Sequence, residues 1–451
     1  MSSSRPGLHL RLELTPPDAD PPAGAPLSAR GGLVAGLSLR EDAASVAIRL
    51  VDRPVAELRW LVDGVVRGVR SALTLNGAAR LRVAEGVSGD VARAVALDLA
   101  RRFGDRLEHG LGEDVDAVAR SEALYRRWVN EDPTVRTSTA IAADARAWVD
   151  AVRGDLPVNV DVLDRAACEE AGLRLLLAVG GASRVSPPTL VIARYDPPGA
   201  TLAPWMLVGK GITFDTGGIN VKPYESFVSM MKNDMAGAAL AWALFTHLAE
   251  ARHPRPLVCV LPACENPVGE DAMRPGALVK AHNGLTVRID HTDAEGRLIL
   301  ADALSYATER HPVERVITFA TLTTAALIAY GPHATPVHFA PPSLEAALAG
   351  ASAITGEDLH FFPERIWHRE ANRDEEADVK NTGRLPGRAA RGAGSRNAAH
   401  FLTFFTERPL THLDIFASTW SWSGDAPGVG YGATGAPFRA VVRALADHDA
   451  G

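Results

Sequence analysis

A two-domain α/β fold is what this sequence predicts: a small N-terminal α/β domain, then a larger α/β domain with a mixed central sheet flanked by helices. Three observations lead there. The chain has 451 residues, more than one hydrophobic core usually serves. From about residue 155 onward, short apolar runs alternate with stretches of helical period, the pattern of a sheet covered by helices. No internal repeat and no membrane-length apolar run interrupts that pattern.

Taken in order, residues 8–14 alternate in polarity and read as a strand. The Pro, Ala and Gly residues from Pro16 to Pro26 read as loop. A strand over 44–50 and a helix over 90–102 complete a small unit without a visible catalytic constellation. Residues 114–152 have helical character broken at Asp132-Pro133. The domain junction is placed at residue 125, giving domains 1–125 and 126–451, the first assigned to oligomerisation or access control. In the second, strands are predicted over 189–195, 205–213, 256–263, 285–289 and 315–322, with helices over 227–251 and 298–310.

Composition narrows the function. Hydrophobic residues make up 47% and charged residues 22%, an ordinary globular mixture. A net charge of -7 gives no basic footprint for nucleic acid. Three cysteines, Cys168, Cys259 and Cys264, contain no CxxC pair, which disfavours a disulfide framework or a zinc knot and fits a reducing cytoplasm. The start, Met1-Ser-Ser-Ser-Arg-Pro-Gly7, leads into a charged stretch unlike the apolar core of a signal peptide.

Two segments carry chemistry. In Val208-Gly-Lys-Gly-Ile-Thr-Phe-Asp-Thr-Gly-Gly-Ile-Asn-Val-Lys-Pro223, an apolar strand runs into Lys210 and Asp215. A lysine ending a buried strand is costly unless it is paired or metal-bound. In His291-Thr-Asp-Ala-Glu-Gly-Arg-Leu298, Asp293 and Glu295 are two apart and would face one way on an extended backbone. With Asp215 and Asp234 they make four carboxylates for one site, which suits one or two divalent ions held by oxygen. Each feature has a plainer explanation: Asp-x-Glu is commonly a solvated pair, Gly217-Gly218 a turn, and Lys210 and Lys222 surface charges. Histidines 253, 282, 311, 368 and 412 lack metal-ligand spacing and read as structural or surface residues.

The string Thr292-Asp-Ala-Glu-Gly-Arg-Leu298 resembles the signature of the leucyl aminopeptidase (cytosol aminopeptidase) family, and Gly209–Gly218 resembles its metal–lysine loop. Further similar strings follow in the family's order: Ala263-Cys-Glu-Asn266, Arg274-Pro-Gly276, Ala320-Thr-Leu-Thr323, His412-Leu-Asp-Ile415 and Gly432-Ala-Thr-Gly435. The resemblance covers roughly residues 125–451; the N-terminal part is similar only in size and position.

The resemblance implies a metalloaminopeptidase that hydrolyses the N-terminal peptide bond and releases a free amino acid. Two divalent ions, Mn²⁺ or Zn²⁺, would be held by Lys210, Asp215, Asp234, Asp293 and Glu295, with Asp215 and Glu295 bridging. Lysine ligates only as the neutral amine. Lys222 would stabilise the oxyanion and Arg297 would hold a bicarbonate ion that shuttles a proton. Thr321, Leu322, Thr324 and Met231 fall near the substrate. A cytoplasmic homo-oligomer, a hexamer, acting on peptide substrates is also implied.

Three departures bear on specificity. His291 stands where the family usually has Asn, Thr324 stands where it has Gly, and the interval from Lys222 to Asp234 is one residue longer. Two other readings remain at this level. A two-metal phosphoesterase would use similar carboxylates, but the missing His ligand and the presence of Lys210 oppose it. A DNA-binding regulator of the same fold is opposed by the net charge.

Overall fold

The computed structural model describes residues 8–16, 25–27, 34–39, 43–51, 53–72, 75–383, 393–422 and 426–450. Alternating apolar residues build the first layer. Leu10, Leu12 and Leu14 of strand Leu8–Thr15 point into the core, and Val46 and Ile48 of strand Ala43–Arg49 lie in register beside them. Six strands form this sheet, in the order Ala25–Leu27, Val34–Leu39, Ala43–Arg49, Leu8–Thr15, Leu75–Val83, Leu107–Glu108. Helices Val55–Ala72 and Gly89–Phe103 contribute Leu58, Val62, Val66, Val95 and Leu99 to the same core. Most of the stretch read as loop between Pro16 and Pro26 lies outside the described residues.

Helix Glu113–Asn130 runs unbroken through residue 125. The predicted break at Asp132-Pro133 is present: Asp132 Oδ1 accepts from Thr134 N and Oγ1 at 2.8 and 2.6 Å, and Thr137 caps the next helix, Ser138–Val152.

Nine strands make the second sheet. Its path runs Leu359–Phe361, Thr335–His338, Leu410–Asp414, Arg315–Ala320, Trp205–Gly209, Leu257–Asn266, Thr189–Tyr195, Val158–Leu163, and Gly211–Asp215 pairs separately with Leu257–Asn266. The four central strands, from Leu410–Asp414 to Leu257–Asn266, are mutually parallel, and antiparallel neighbours flank them. Helices Ala236–Glu250 and Gly296–Arg310 cover the sheet; the first is apolar almost all round because it is buried almost all round, whereas the second also buries Arg297 and Asp302. The mixed, helix-covered sheet agrees with expectation.

Two predicted elements differ. The strand expected over 205–213 breaks at Lys210, whose N–H donates to Phe319 O at 3.0 Å and whose carbonyl accepts from Ala238 N at 2.8 Å. The helix expected over 227–251 begins as a 3₁₀ segment, Val228–Met235, entered through Phe227 at φ 60°. Bonds such as Met230 N to Phe227 O tighten that segment as it turns beneath the strand ends, and only Ala236–Glu250 is α-helical. Periodicity reports burial, and both backbone geometries here bury the same side chains.

Buried charge joins the two layers. Arg59 grips Asp98 through Nε and Nη2, both at 2.7 Å, and its Nη1 donates to the carbonyls of Thr355 and Gly356. Arg439 donates to Glu122 at 2.7 Å and to Asp98 at 2.8 Å. Arg101 binds Glu122 and the carbonyl of Pro427. Burial would raise the Asp98 carboxyl, but the guanidiniums of Arg59 and Arg439 hold it well below its ordinary range. Among the described residues, no helix is long and apolar enough to cross a membrane.

Candidate metal centre

The four parallel strands deliver their carboxyl ends to one edge, the place where open α/β sheets bind ligands. Lys210 follows strand Trp205–Gly209, Thr321 follows Arg315–Ala320, and Asn266 and Asp414 end their own strands. The 3₁₀ segment brings Asp234 to this edge, and the start of helix Gly296–Arg310 brings Glu295.

Lys210 is 3% exposed. Its Nζ lies 2.8 Å from Asp234, 2.9 Å from Glu295 Oε1, and 2.8 Å from the carbonyl of Thr321. Thr321 Oγ1 donates to Asp234 Oδ1 at 2.8 Å. A Cβ at Gly296 would lie 2.3 Å from Lys210 Cε, so the lysine stem runs directly against that backbone. Lys222 makes the second bridge, 2.8 Å from Asp215 and 2.5 Å from Asp293. The turn before it needs Gly217 at φ 89°, where a Cβ would meet Asn220 O at 2.5 Å. Its N–H donates to Asp215 Oδ1.

Asp215, Asp234 and Glu295 are buried and offer oxygens all within 4.8 Å of one another. Asp293 lies outside that triplet and joins through Lys222. The expected extended Asp293-Ala-Glu295 backbone is not found. Glu295 has φ -82° and ψ -36° at the head of its helix, and the two carboxylates reach different lysines. Helix nucleation there outweighs extension, so the two-residue spacing alone misjudged the geometry.

Charge balance tests whether metal fits. Four carboxylates face two ammoniums, leaving an excess of negative charge in a buried space. Burial and the Glu295 carboxylate push Asp215 up, and burial raises Asp234 well above its ordinary range despite Lys210. Burial, with Asp215 beside it, lifts Asp293 to about 7. Glu295 goes the other way: burial opposes ionisation, but Lys210 and Lys222 bring it to about 2. For the lysines, burial works against the ammonium and the carboxylates prevail, so both stay above their usual range. Asp234 Oδ2 and Asp293 Oδ1 are buried, and each faces a lysine ammonium, Lys210 at 2.8 Å and Lys222 at 2.5 Å. An all-oxygen set with one amine and surplus negative charge fits divalent cations.

Arg297 is buried; its Nη1 donates to Asn381 O at 2.8 Å, and its Nε has no hydrogen-bond partner among the described residues. Burial lowers it to about 10, and it stays cationic at neutral pH. Thr321 is buried, Leu322 is half-buried and Thr324 is exposed where helix Ala325–Tyr330 starts. Met231 packs in the core on the 3₁₀ segment. His291 Nδ1 accepts from Asp293 N at 3.2 Å, so this histidine orders the loop and stands outside the carboxylate triplet.

Sequence reasoning gave no role to four residues that set this geometry. Asn266 donates to Asp215 at 2.8 Å, and Thr292 Oγ1 donates to Gly217 O at 2.6 Å, tying the two loops together. Asp414 accepts from Leu322 N, Thr323 N and Thr323 Oγ1. Asn381 donates to the carbonyls of His291 and Ala294 and accepts from Asp290 N. Asn266 and Asp414 sit in strings quoted above for their resemblance; Asn381 gives no sequence signal.

The fold and site define a class: α/β proteins with a buried carboxylate–lysine centre for divalent ions at the carboxyl edge of a parallel sheet core. Residues 123–442 match the profile described as the cytosol aminopeptidase family, catalytic domain. The chain belongs to that family. It is 40% identical over 322 residues to a probable cytosol aminopeptidase of Methylibium petroleiphilum, covering 71% of this chain and 63% of that one. To a probable cytosol aminopeptidase of Roseiflexus castenholzii it is 38% identical over 334 residues, covering 73% and 65%. The chain thus spans less than two thirds of the length of these curated relatives. The solved structure of the bottromycin maturation enzyme BotP in complex with Mn matches with a TM-score of 0.83 at 29% identity, over 97% of this chain and 99% of that one.

Proposed function

We propose that this chain is a two-metal aminopeptidase that removes single residues from the N-terminus of peptides. The observation that carries this reading is the pair of lysine bridges, Lys210 between Asp234 and Glu295 and Lys222 between Asp215 and Asp293. Two Mn²⁺ or Zn²⁺ ions at Lys210, Asp215, Asp234, Asp293 and Glu295 would polarise the scissile carbonyl and acidify water. Lys210 would have to give up its proton to serve as a ligand. Lys222 keeps its proton and places its ammonium where the oxyanion develops. Arg297, with Nε unsatisfied, would hold an anion such as bicarbonate beside the centre, which would supply the proton acceptor that a guanidinium cannot be. Asp414 fixes Leu322 and Thr323 as a ledge for the substrate backbone. A cytoplasmic location, a hexameric assembly and a role of residues 1–125 in oligomerisation or access control complete the proposal.

A panel of aminoacyl anilides and dipeptides, assayed with Mn²⁺ and with Zn²⁺, tests this reading. Release of the N-terminal residue supports it; a protein with two bound ions that cleaves no member refutes it. Lys222→Ala is expected to retain bound metal while turnover falls by about 10²–10³, the usual loss for one oxyanion donor. Metal loss in that variant would make Lys222 structural instead.

A second reading concerns substrate breadth. The match to BotP runs over the whole chain, N-terminal domain included, whereas the curated aminopeptidases match over 71–73% of it. BotP is described as a maturation enzyme, and by that likeness a narrow substrate range is the second reading. Thr324, exposed beside the ledge, replaces a small residue with a β-branched one and narrows the pocket. Thr324→Gly is expected to raise kcat/KM for leucine anilide by about 10-fold, the scale of one pocket methylene. An unchanged ranking across the panel would remove Thr324 from the specificity argument.

A further inference from the structure

Both the side chain and the backbone of Thr321 are turned toward the carboxylate–lysine centre. The residue follows strand Arg315–Ala320, at the edge where the parallel strands end. Its surroundings fix it from both sides. Lys210 N donates to Phe319 O at 3.0 Å, and Ile415 N donates to Ala320 O at 2.8 Å. Just beyond, Asp414 Oδ1 accepts from Leu322 N at 3.1 Å and from Thr323 N at 3.3 Å. Thr321 itself is 3% exposed.

Two groups on this one residue meet two of the candidate ligands. The carbonyl accepts from Lys210 Nζ at 2.8 Å. The other acceptors around that Nζ, among the described residues, are carboxylate oxygens: Asp234 Oδ1 and Oδ2, both at 2.8 Å, and Glu295 Oε1 at 2.9 Å. A lysine that binds a metal is a neutral amine, with two N–H groups and one lone pair. With the carboxylates turned to cations, the Thr321 carbonyl is the neutral acceptor that would retain one N–H and so aim the lone pair. The hydroxyl sorts the two oxygens of Asp234. Thr321 Oγ1 donates to Oδ1 at 2.8 Å and lies 3.3 Å from the Asp234 carbonyl. A hydroxyl has one proton to give, and the shorter contact takes it. Oδ2 faces Lys210 Nζ instead, which leaves that oxygen for an ion.

We propose that Thr321 is a positioning residue of the metal centre: its carbonyl orients the amine of Lys210, and its hydroxyl holds Asp234 with Oδ2 toward the ion. The proposal rests on the two-metal reading and moves Thr321 within it, from a contact of the substrate to a support of two ligands. A hydroxyl that met substrate would need to be open, whereas this one belongs to a buried residue and is already donated. Charge-assisted bonds of this kind, from a neutral donor to a carboxylate, are the ones whose loss a metal site feels.

Two substitutions separate the hydroxyl from the shape of the side chain. Thr321→Val keeps the branched Cβ and deletes the hydroxyl; Thr321→Ser keeps the hydroxyl. Calorimetric titration of the metal-free protein with Mn²⁺ alone reads the ligands without any substrate. The unaltered protein is expected to bind two ions. Thr321→Val should bind one of them about 10–100-fold more weakly, the usual loss when a ligand's hydrogen-bond partner is removed, and Thr321→Ser should match the unaltered protein. With leucine anilide at saturating Mn²⁺, KM should be the same in all three. Mn²⁺ bound by Thr321→Val as tightly as by the unaltered protein would overturn the positioning role and leave the two-metal reading standing. A raised KM with unchanged Mn²⁺ affinity would return Thr321 to the substrate. Equal weakening in the Val and Ser variants, with lowered denaturant midpoints, would make its role one of packing. No Mn²⁺ binding by the unaltered protein would remove the two-metal reading itself, and the proposal with it.

Discussion

Replacing Glu295 by alanine is expected to abolish leucine anilide hydrolysis, by more than about 10³-fold, and to strip bound metal from the protein. Glu295 belongs to the buried oxygen triplet and pairs with Lys210 at 2.9 Å. Its removal takes out a donor of the centre and a partner that keeps Lys210 in place, a larger loss than one oxyanion donor. Metal content by elemental analysis and the progress curve together provide the check. Full activity with unchanged metal would refute the site as drawn. Asp293→Ala should cost less metal, because Asp293 lies outside the triplet and is 28% exposed at its side chain.

The second large effect lies far from the chemistry. Arg439→Ala is expected to destabilise the fold by about 3–5 kcal/mol, the usual result of breaking a buried ion pair from one side. Asp98 and Glu122, both buried, would each lose a guanidinium contact, at 2.8 and 2.7 Å. Arg439→Lys should recover only part, since an ammonium lacks the planar fork that sets Nε on Glu122 and Nη1 on Asp98. Denaturant midpoints at matched m-values measure the change. A loss below about 1 kcal/mol would show that the network rearranges around the gap.

Much of the second domain is legible because its strands are buried on both faces and read as continuous apolar runs. Thr189–Tyr195 appears with its bounds unchanged, and helix Gly296–Arg310 is displaced only at its start. Lys210 was identifiable as costly, but the strand break at that residue was not, since it depends on Phe319 and Ala238 far along the chain. The same limit hides Asn381, whose contacts lie 84 to 91 residues away. The network of Arg59, Asp98, Glu122 and Arg439 is equally invisible, because charged residues on amphipathic helices ordinarily face water. Asp215, Asp293 and Glu295 stand in the quoted motifs, while Asp234 stands in none of them; how the four carboxylates divide between two lysines needed the fold.

The contact between Gly296 and Lys210 constrains the order in which mutations can accumulate. A methyl group at residue 296 would sit 2.3 Å from Lys210 Cε and 2.7 Å from Nζ, so alanine there forces the end of the lysine away from its two carboxylates. Shortening residue 210 first would open the volume, but it also removes the only cation that faces Asp234 and Glu295 together among the described residues. The two positions are therefore epistatic: neither single step is neutral, and the double change is accessible only through a poorer intermediate. Drift at the centre of this site meets a ratchet made of packing, independent of any demand from catalysis.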